Sequence, residues 1–244
     1  MAGKIRAVAR MVLLLFSMTA YLAVFYIILP FQKKQLEWGL RLRYQWMKLA
    51  HVILGIKVRV HGNIPQGGTL VASNHQSALD PLVILRFLVA FPVGKYEIRG
   101  YPLIGFAAEK TGVLFVKRHL KDHRAEIKNE IKDHLLLNRS VLLFPEGTVN
   151  SGKEVLPLKI GGFQSAVQAQ KPVVPICIQY HSDLDVWGEN DGLMAHFFKQ
   201  NGKPIVRVDL YFGPPLMSED PIELAQMSKK FMERNQFYTD CPSD

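Results

Sequence analysis

The residues best placed to do chemistry stand where an apolar run turns polar, at Asn74-His75-Gln76-Ser77-Ala78-Leu79-Asp80. A histidine and an aspartate five residues apart fall about 140° apart around a regular helix, so they meet only if the chain turns between them. A strand that runs into a turn and then a helix supplies that turn. An aspartate that accepts one imidazole N–H leaves the other nitrogen free to take a proton from a hydroxyl. That is the orienting arrangement of general-base catalysis. Asp80 has a plainer role open to it, since Asp followed by Pro81 is a common helix cap and first turn. The pair is more informative than either residue.

Two further groups carry polar side chains at the ends of apolar runs. Phe144-Pro145-Glu146-Gly147-Thr148 delivers a carboxylate, a glycine and a hydroxyl onto a loop. Glycine allows close approach to the backbone, and backbone N–H groups with a hydroxyl can donate to an anion. Taken alone the same residues make an ordinary turn. Lys95, Pro102, Gly105 and Gly112 lead to Phe115-Val116-Lys117-Arg118. A guanidinium there suits phosphate, and the bland alternative is a solvated charge pair.

Elements must hold these groups. Residues 57–61, 69–72, 112–116, 140–144, 173–178 and 205–212 read as strands. Residues 81–90, 122–137 and 163–169 read as helices, the second with Ile127, Ile131 and Leu135 recurring every four residues. Residues 182–202 are polar and rich in Gly, Asp and Asn, and read as an irregular loop. Strands alternating with helices predict an α/β fold, a mixed and mostly parallel sheet covered by helices, with its site at strand ends.

The chain has 244 residues, 48% hydrophobic and 21% charged, which excludes intrinsic disorder. Cys177 and Cys241 lie too far apart in sequence for a CxxC or zinc-ribbon pattern, so neither a metal site nor a disulfide framework is expected. The net charge is +9, and all of it sits in residues 1–62, whose only acid is Glu37. Residues 63–244 are neutral overall. A nucleic-acid groove would put basic excess on the folded core, so no nucleic acid is expected; a basic segment flanking an apolar stretch fits an anionic lipid surface.

Residues 11–32 carry no charge, about the length that matches the bilayer core. A cleaved signal would be shorter and would end in a small-residue site. Lys33, Lys34, Arg41, Arg43 and Lys48 come after the stretch, which places its C-terminal side in the cytoplasm by the positive-inside rule. Lys4, Arg6 and Arg10 precede it, so a shallow hairpin returning to the same face is also open. Residues 35–53 read as a basic amphipathic helix, in which Trp38 and Trp46 suit either an interfacial belt or packing on the core. The division expected is residues 1–56 as membrane-anchoring helices and residues 57–244 as the α/β domain.

Taken together the motifs resemble the glycerolipid acyltransferase family, the PlsC-like 1-acyl-sn-glycerol-3-phosphate acyltransferases. NHQSALD is similar to that family's HxxxxD motif, KYEIRGYPLIGFAAEKTGVLFVKR to its second motif and FPEGT to its third. LPLKIGGF is similar to the continuation of the third motif, and VVPICI to the fourth. The resemblance runs from residue 62 to residue 178 in the family's order. It implies a glycerol-3-phosphate acyltransferase-like fold with an N-terminal membrane-associated helical segment. It also implies transfer of an acyl chain from acyl-CoA or acyl carrier protein to the free hydroxyl of a membrane lysolipid, lysophosphatidic acid, giving phosphatidic acid. His75 would be the base and Asp80 its orienting partner. Asn74, Ser77, Lys95, Arg118, Glu146, Gly147, Thr148 and Lys159 would hold substrate, and backbone N–H groups near the His75 loop would stabilise the oxyanion. No bound cofactor and no metal are implied.

The chain departs from the pattern after FPEGT, where Val149 replaces an arginine that helps hold the acceptor phosphate. Leu158 replaces the usual aromatic residue before Lys159, a change of packing. The first departure leaves a second acceptor open, a lyso-ornithine lipid or another lysophospholipid. A lipid-binding protein without catalysis is a third reading, and the intact His75/Asp80 pair speaks against it.

Overall fold

The computed structural model describes residues 1–32, 34–117, 120–150, 154–188 and 191–236. Seven strands form one sheet: β1 (Ile56–His61), β2 (Leu70–Ser73), β3 (Ala90–Lys95), β4 (Leu114–Val116), β5 (Ser140–Leu143), β6 (Val173–Tyr180) and β7 (Val206–Phe212). Their order is β1-β7-β6-β2-β5-β3-β4. Every neighbouring pair is parallel except β6 and β7. Five adjacent strands therefore end on the same side, and β7 and β1 run the other way.

The strand sequences explain their places. All residues of β2 and β6 are buried, as expected of central parallel strands covered on both faces. β1 alternates, and its Lys57, Arg59 and His61 are exposed, which suits an edge with one open face. One sheet face packs Leu54, Val71, Ile84, Ile176, Tyr180 and Leu210 beneath α2 (Gln35–Leu54) and α3 (Asp80–Leu85). The other packs Leu135, Val141, Phe163, Val173, Leu224 and Met232 beneath α5 (Lys121–Leu136), α6 (Gly161–Gln168) and α8 (Pro221–Asn235). The remaining helices are α1 (Ala2–Ile28), α4 (Ile104–Lys110) and α7 (Leu193–Asn201).

The helix at residues 35–53 lies on the core. Its inward face carries Gly39, Arg43, Met47, Ala50, His51 and Leu54. A side chain at residue 39 would collide with the Lys110 carbonyl, since a Cβ there would lie 2.6 Å from it. Arg43 donates to the carbonyls of Ala90 at 2.6 Å and Thr111 at 2.7 Å, and its burial lowers its pKa to about 10. Trp46 is turned inward too, and its Nε1 donates to Ser17 Oγ of α1 at 3.1 Å.

Two expectations are corrected. The run at 81–90 is not one helix: α3 ends at Leu85 and Ala90 opens strand β3. The loop at 182–202 contains helix α7. Helices α4 and α8 carry no counterpart in the sequence reading. Cys177 is buried and unpaired, and Cys241 lies outside the described residues.

Candidate active site

The candidate residues come from strand ends. β2 delivers the His75 loop, and β5, its parallel neighbour with Ala72 opposite Leu143, delivers the Glu146 loop. β6, on the other side of β2, ends at Tyr180. Ligand sites of open α/β sheets lie at such carboxyl ends.

The turn required between His75 and Asp80 is present. His75 Nδ1 lies 2.7 Å from Asp80 Oδ2. The same oxygen accepts the N–H groups of Gln76 at 2.7 Å and Ser77 at 2.9 Å. The other, Oδ1, accepts the Tyr180 hydroxyl at 2.7 Å. Asp80 is completely buried, so these donors replace water around its charge, as a buried carboxylate requires. The carboxylate folds back onto the residues before it and makes no cap to α3. With Nδ1 donating to Asp80, the lone pair of His75 is on Nε2, which has no partner among the described residues. Phe144 stacks on the imidazole with ring centres 4.1 Å apart and fixes its plane. Burial and the Asp80 charge hold the Tyr180 phenol well above its ordinary pKa, so it remains a donor.

Glu146 is mostly a brace. Its Oε1 accepts the His75 N–H at 2.9 Å, and Oε2 accepts the Leu156 N–H at 3.1 Å and the Asn150 side-chain amide. The Asn150 N–H returns to the His75 carbonyl at 3.0 Å. Burial raises the Glu146 pKa, opposed by those donors. Gly147 adopts φ +77, and a Cβ there would lie 2.2 Å from Lys159 Nζ. Glycine is thus required twice over, by the left-handed backbone and by the ammonium passing above it. Thr148 is exposed, and its hydroxyl donates to the Val149 carbonyl at 3.3 Å. Lys95 is exposed, three residues past Pro92, as Pro145 is three past its partner Leu142. Arg118 lies outside the described residues.

Two residues grouped with the substrate-binding set turn inward instead. Asn74 is clamped to β6, donating to the Ile178 carbonyl at 3.0 Å and accepting its N–H at 2.8 Å. Ser77 is fully buried, and its hydroxyl meets His196 and Gln200 of α7. Both hold the loop from behind. Three backbone donors of the loop are already committed: the N–H groups of His75, Gln76 and Ser77 are bonded to Glu146 and Asp80. Sequence reasoning missed Tyr180, Asn150, His196 and Gln200. The position of Tyr180 at the end of an apolar strand was the only available signal.

The geometry accords with comparisons to known proteins. The family model Acyltransferase matches residues 56–179. The lyso-ornithine lipid O-acyltransferase of Pseudomonas aeruginosa is 30% identical over 212 residues, 83% of this chain and 81% of the relative. The Rhizobium meliloti protein of the same description is 30% identical over 69% of this chain, a match that spans 64% of the relative's length. Human 1-acyl-sn-glycerol-3-phosphate acyltransferase alpha is 36% identical over 57% of this chain and 52% of its own. In three dimensions the chain is similar to the crystal structure of the 1-acyl-sn-glycerophosphate acyltransferase PlsC from Thermotoga maritima. That match has TM-score 0.69 and 22% identity, over 95% of this chain and 92% of the other. Among the described residues no group of His, Cys, Asp and Glu could hold a metal ion. With its His75–Asp80 pair at the end of β2 inside the matched segment, the chain belongs to the acyltransferase family.

Proposed function

We propose that this chain transfers an acyl group from an acyl thioester, acyl-CoA or acyl carrier protein, to the free hydroxyl of lysophosphatidic acid, forming phosphatidic acid. The observation that carries the reading is the His75–Asp80 pair, with Nδ1 committed to the buried carboxylate and Nε2 left to accept a hydroxyl proton. The acceptor oxygen attacks the thioester carbonyl carbon as His75 takes its proton. The tetrahedral intermediate then collapses, the C–S bond breaks, and the thiolate leaves with the proton returned by His75. Asp80 stabilises the imidazolium in between. Lys159 over Gly147, with Arg118 and Lys95, supplies cations for the acceptor phosphate.

A second acceptor, a lyso-ornithine lipid, has specific support. Val149 offers no charge, and the relative matched over 83% of this chain is a lyso-ornithine lipid acyltransferase. Thiol release measured with lysophosphatidic acid, lyso-ornithine lipid and a zwitterionic lysophospholipid side by side separates the two. Turnover with lysophosphatidic acid, and a fall in its KM of up to about tenfold in Val149→Arg from a charge-assisted contact, supports the first. Turnover only with the lyso-ornithine lipid replaces it.

We read α1 as the membrane-associated element. It is 27 residues long with a mean hydropathy of 2.3 in its most apolar window. Ile5, Val8, Val12, Phe16, Val24 and Ile27 of this helix are exposed. Its start approaches Gly202 and its end stacks Tyr26 on Phe106 of α4. Contacts at both ends favour a helix lying along the membrane surface with the domain beside it.

A further inference from the structure

The His75 loop is held from behind by α7. Ser77 Oγ has one proton and two lone pairs. It accepts the Leu79 N–H at 3.2 Å and donates to Gln200 Oε1 at 3.1 Å. The orientation of Gln200 is set by its Nε2, which donates to the Asp185 carbonyl at 3.0 Å. With that proton committed, the third contact, His196 Nε2 at 3.0 Å, is satisfied by an imidazole N–H donating to Ser77, while His196 Nδ1 faces Asp191 Oδ2 at 3.5 Å. A serine beside a histidine could suggest a nucleophile. Here the serine proton is turned to Gln200 and all three side chains are fully buried, so the group positions the loop. His196 and Gln200 are fully buried, one turn apart on α7. Trp187 adds to the hold: its N–H donates to the Gln76 carbonyl at 2.8 Å, and its ring packs on His196 with centres 4.9 Å apart.

The far end of α7 is held by α1. The last carbonyls of a helix lack partners within it, and cations are favourable there. Arg10 Nη1 donates to the carbonyls of Asn201 at 3.0 Å and Lys203 at 2.6 Å, and Nη2 to that of Pro204 at 2.7 Å. Arg6 donates to the Gly202 carbonyl at 2.8 Å. Hydrogen bonds and one rigid helix thus connect α1 to Ser77, whose own N–H holds Asp80.

We propose that Arg10 and His196 are positioning residues, through which the apolar N-terminal helix sets the His75–Asp80 loop by way of α7. This inference rests on the acyl-transfer reading. In it α1 is part of the catalytic scaffold as well as the membrane-associated element.

The test uses the full chain in detergent micelles, with lysolipid-dependent thiol release, melting temperature and liposome retention all measured. Arg10→Gln and His196→Phe should each lower kcat by roughly 10- to 100-fold, as sub-ångström misplacement of a base does, with the acceptor KM within about twofold. His196→Gln, whose amide N–H can still donate to Ser77, should recover most of that loss. The double variant Arg10→Gln/His196→Phe should lose little more than the worse single, as expected of groups on one path. Where Arg10→Gln melts below the assay temperature, Arg10→Lys takes its place. One ammonium cannot reproduce the three guanidinium contacts, so kcat should still fall. Unchanged kcat in a folded Arg10 variant, additive losses, or no recovery by His196→Gln would overturn the proposal. Wild-type protein that releases no thiol with any lysolipid sinks the acyl-transfer reading and this one with it. Wild-type turnover that is matched by the Arg10 variant sinks this one alone.

Discussion

Two of the places where imidazole meets aspartate differ in almost everything else. In one, His75 meets Asp80 through Nδ1 at 2.7 Å, with side-chain exposures of 16% and 0%. In the other, Asp209 of β7 meets His61 and His181, both through Nε2, with exposures of 11%, 44% and 40%. Asp80 receives donors from three backbone or side-chain N–H groups and one hydroxyl, and its histidine is clamped against Phe144. The Asp209 cluster lies on the open face of the sheet, where β1 also presents Lys57 and Arg59. Contact between histidine and carboxylate is therefore shared by two very different settings. What distinguishes the first cluster is which nitrogen is used, how completely the carboxylate is removed from water, and how firmly the ring is held.

Breaking the first cluster should have the largest effect. In Asp80→Asn the side chain keeps its shape but loses the charge that fixes the tautomer and stabilises the imidazolium. Turnover should fall roughly 10²–10⁴-fold with the protein still folded, as read by steady-state kinetics beside circular dichroism. Tyr180→Phe is milder. It leaves one oxygen of a buried carboxylate without its donor, which should cost about 1–3 kcal/mol of stability. Turnover should fall by less than in Asp80→Asn, and denaturant midpoints with kinetics check both. Asp209→Asn should change turnover by less than about twofold, the scatter usual for distant surface sites. Its effect is on acid stability. Burial opposes ionisation of Asp209, but the hydrogen bonds from His61 and His181 outweigh it and keep the pKa below the ordinary value. A depressed folded pKa gives stability that is present above the unfolded value and lost as pH falls through the folded one. Wild-type stability should therefore drop below about pH 4 more steeply than that of Asp209→Asn, as measured by urea midpoints between pH 3 and pH 6. If Asp209→Asn crippled turnover while Asp80→Asn did not, the contrast between the clusters would be reversed.

The His75–Asp80 pair was legible because both members lie in one short segment with a strand before it and Pro81 directly after it. Tyr180 was not, because it is 100 residues from Asp80 and only the pairing of β2 with β6 brings it near. Strand β3 was hidden by its own Pro92 and Gly94, which weaken strand signals. It also comes after an apolar run that periodicity cannot divide between helix and strand. Helix α7 was hidden for the reason that makes it useful. Its buried residues are His196, Gln200 and Asn201, so the face that grips the His75 loop is polar and shows no hydrophobic stripe. Asn74 and Ser77 looked like ligand groups because polar residues in a motif do. Their buried partners, Ile178 and His196, come from β6 and α7, far along the chain.

The most direct test of the His75 mechanism is lysolipid-dependent thiol release from acyl-CoA by wild-type protein and by His75→Ala, in the same lipid vesicles and with folding checked. Thiol should be released by the wild type only when a lysolipid hydroxyl is present. The His75→Ala rate should be lower by at least roughly 10²-fold, the usual contribution of a general base. A folded His75→Ala protein that releases thiol at close to the wild-type rate would contradict that mechanism.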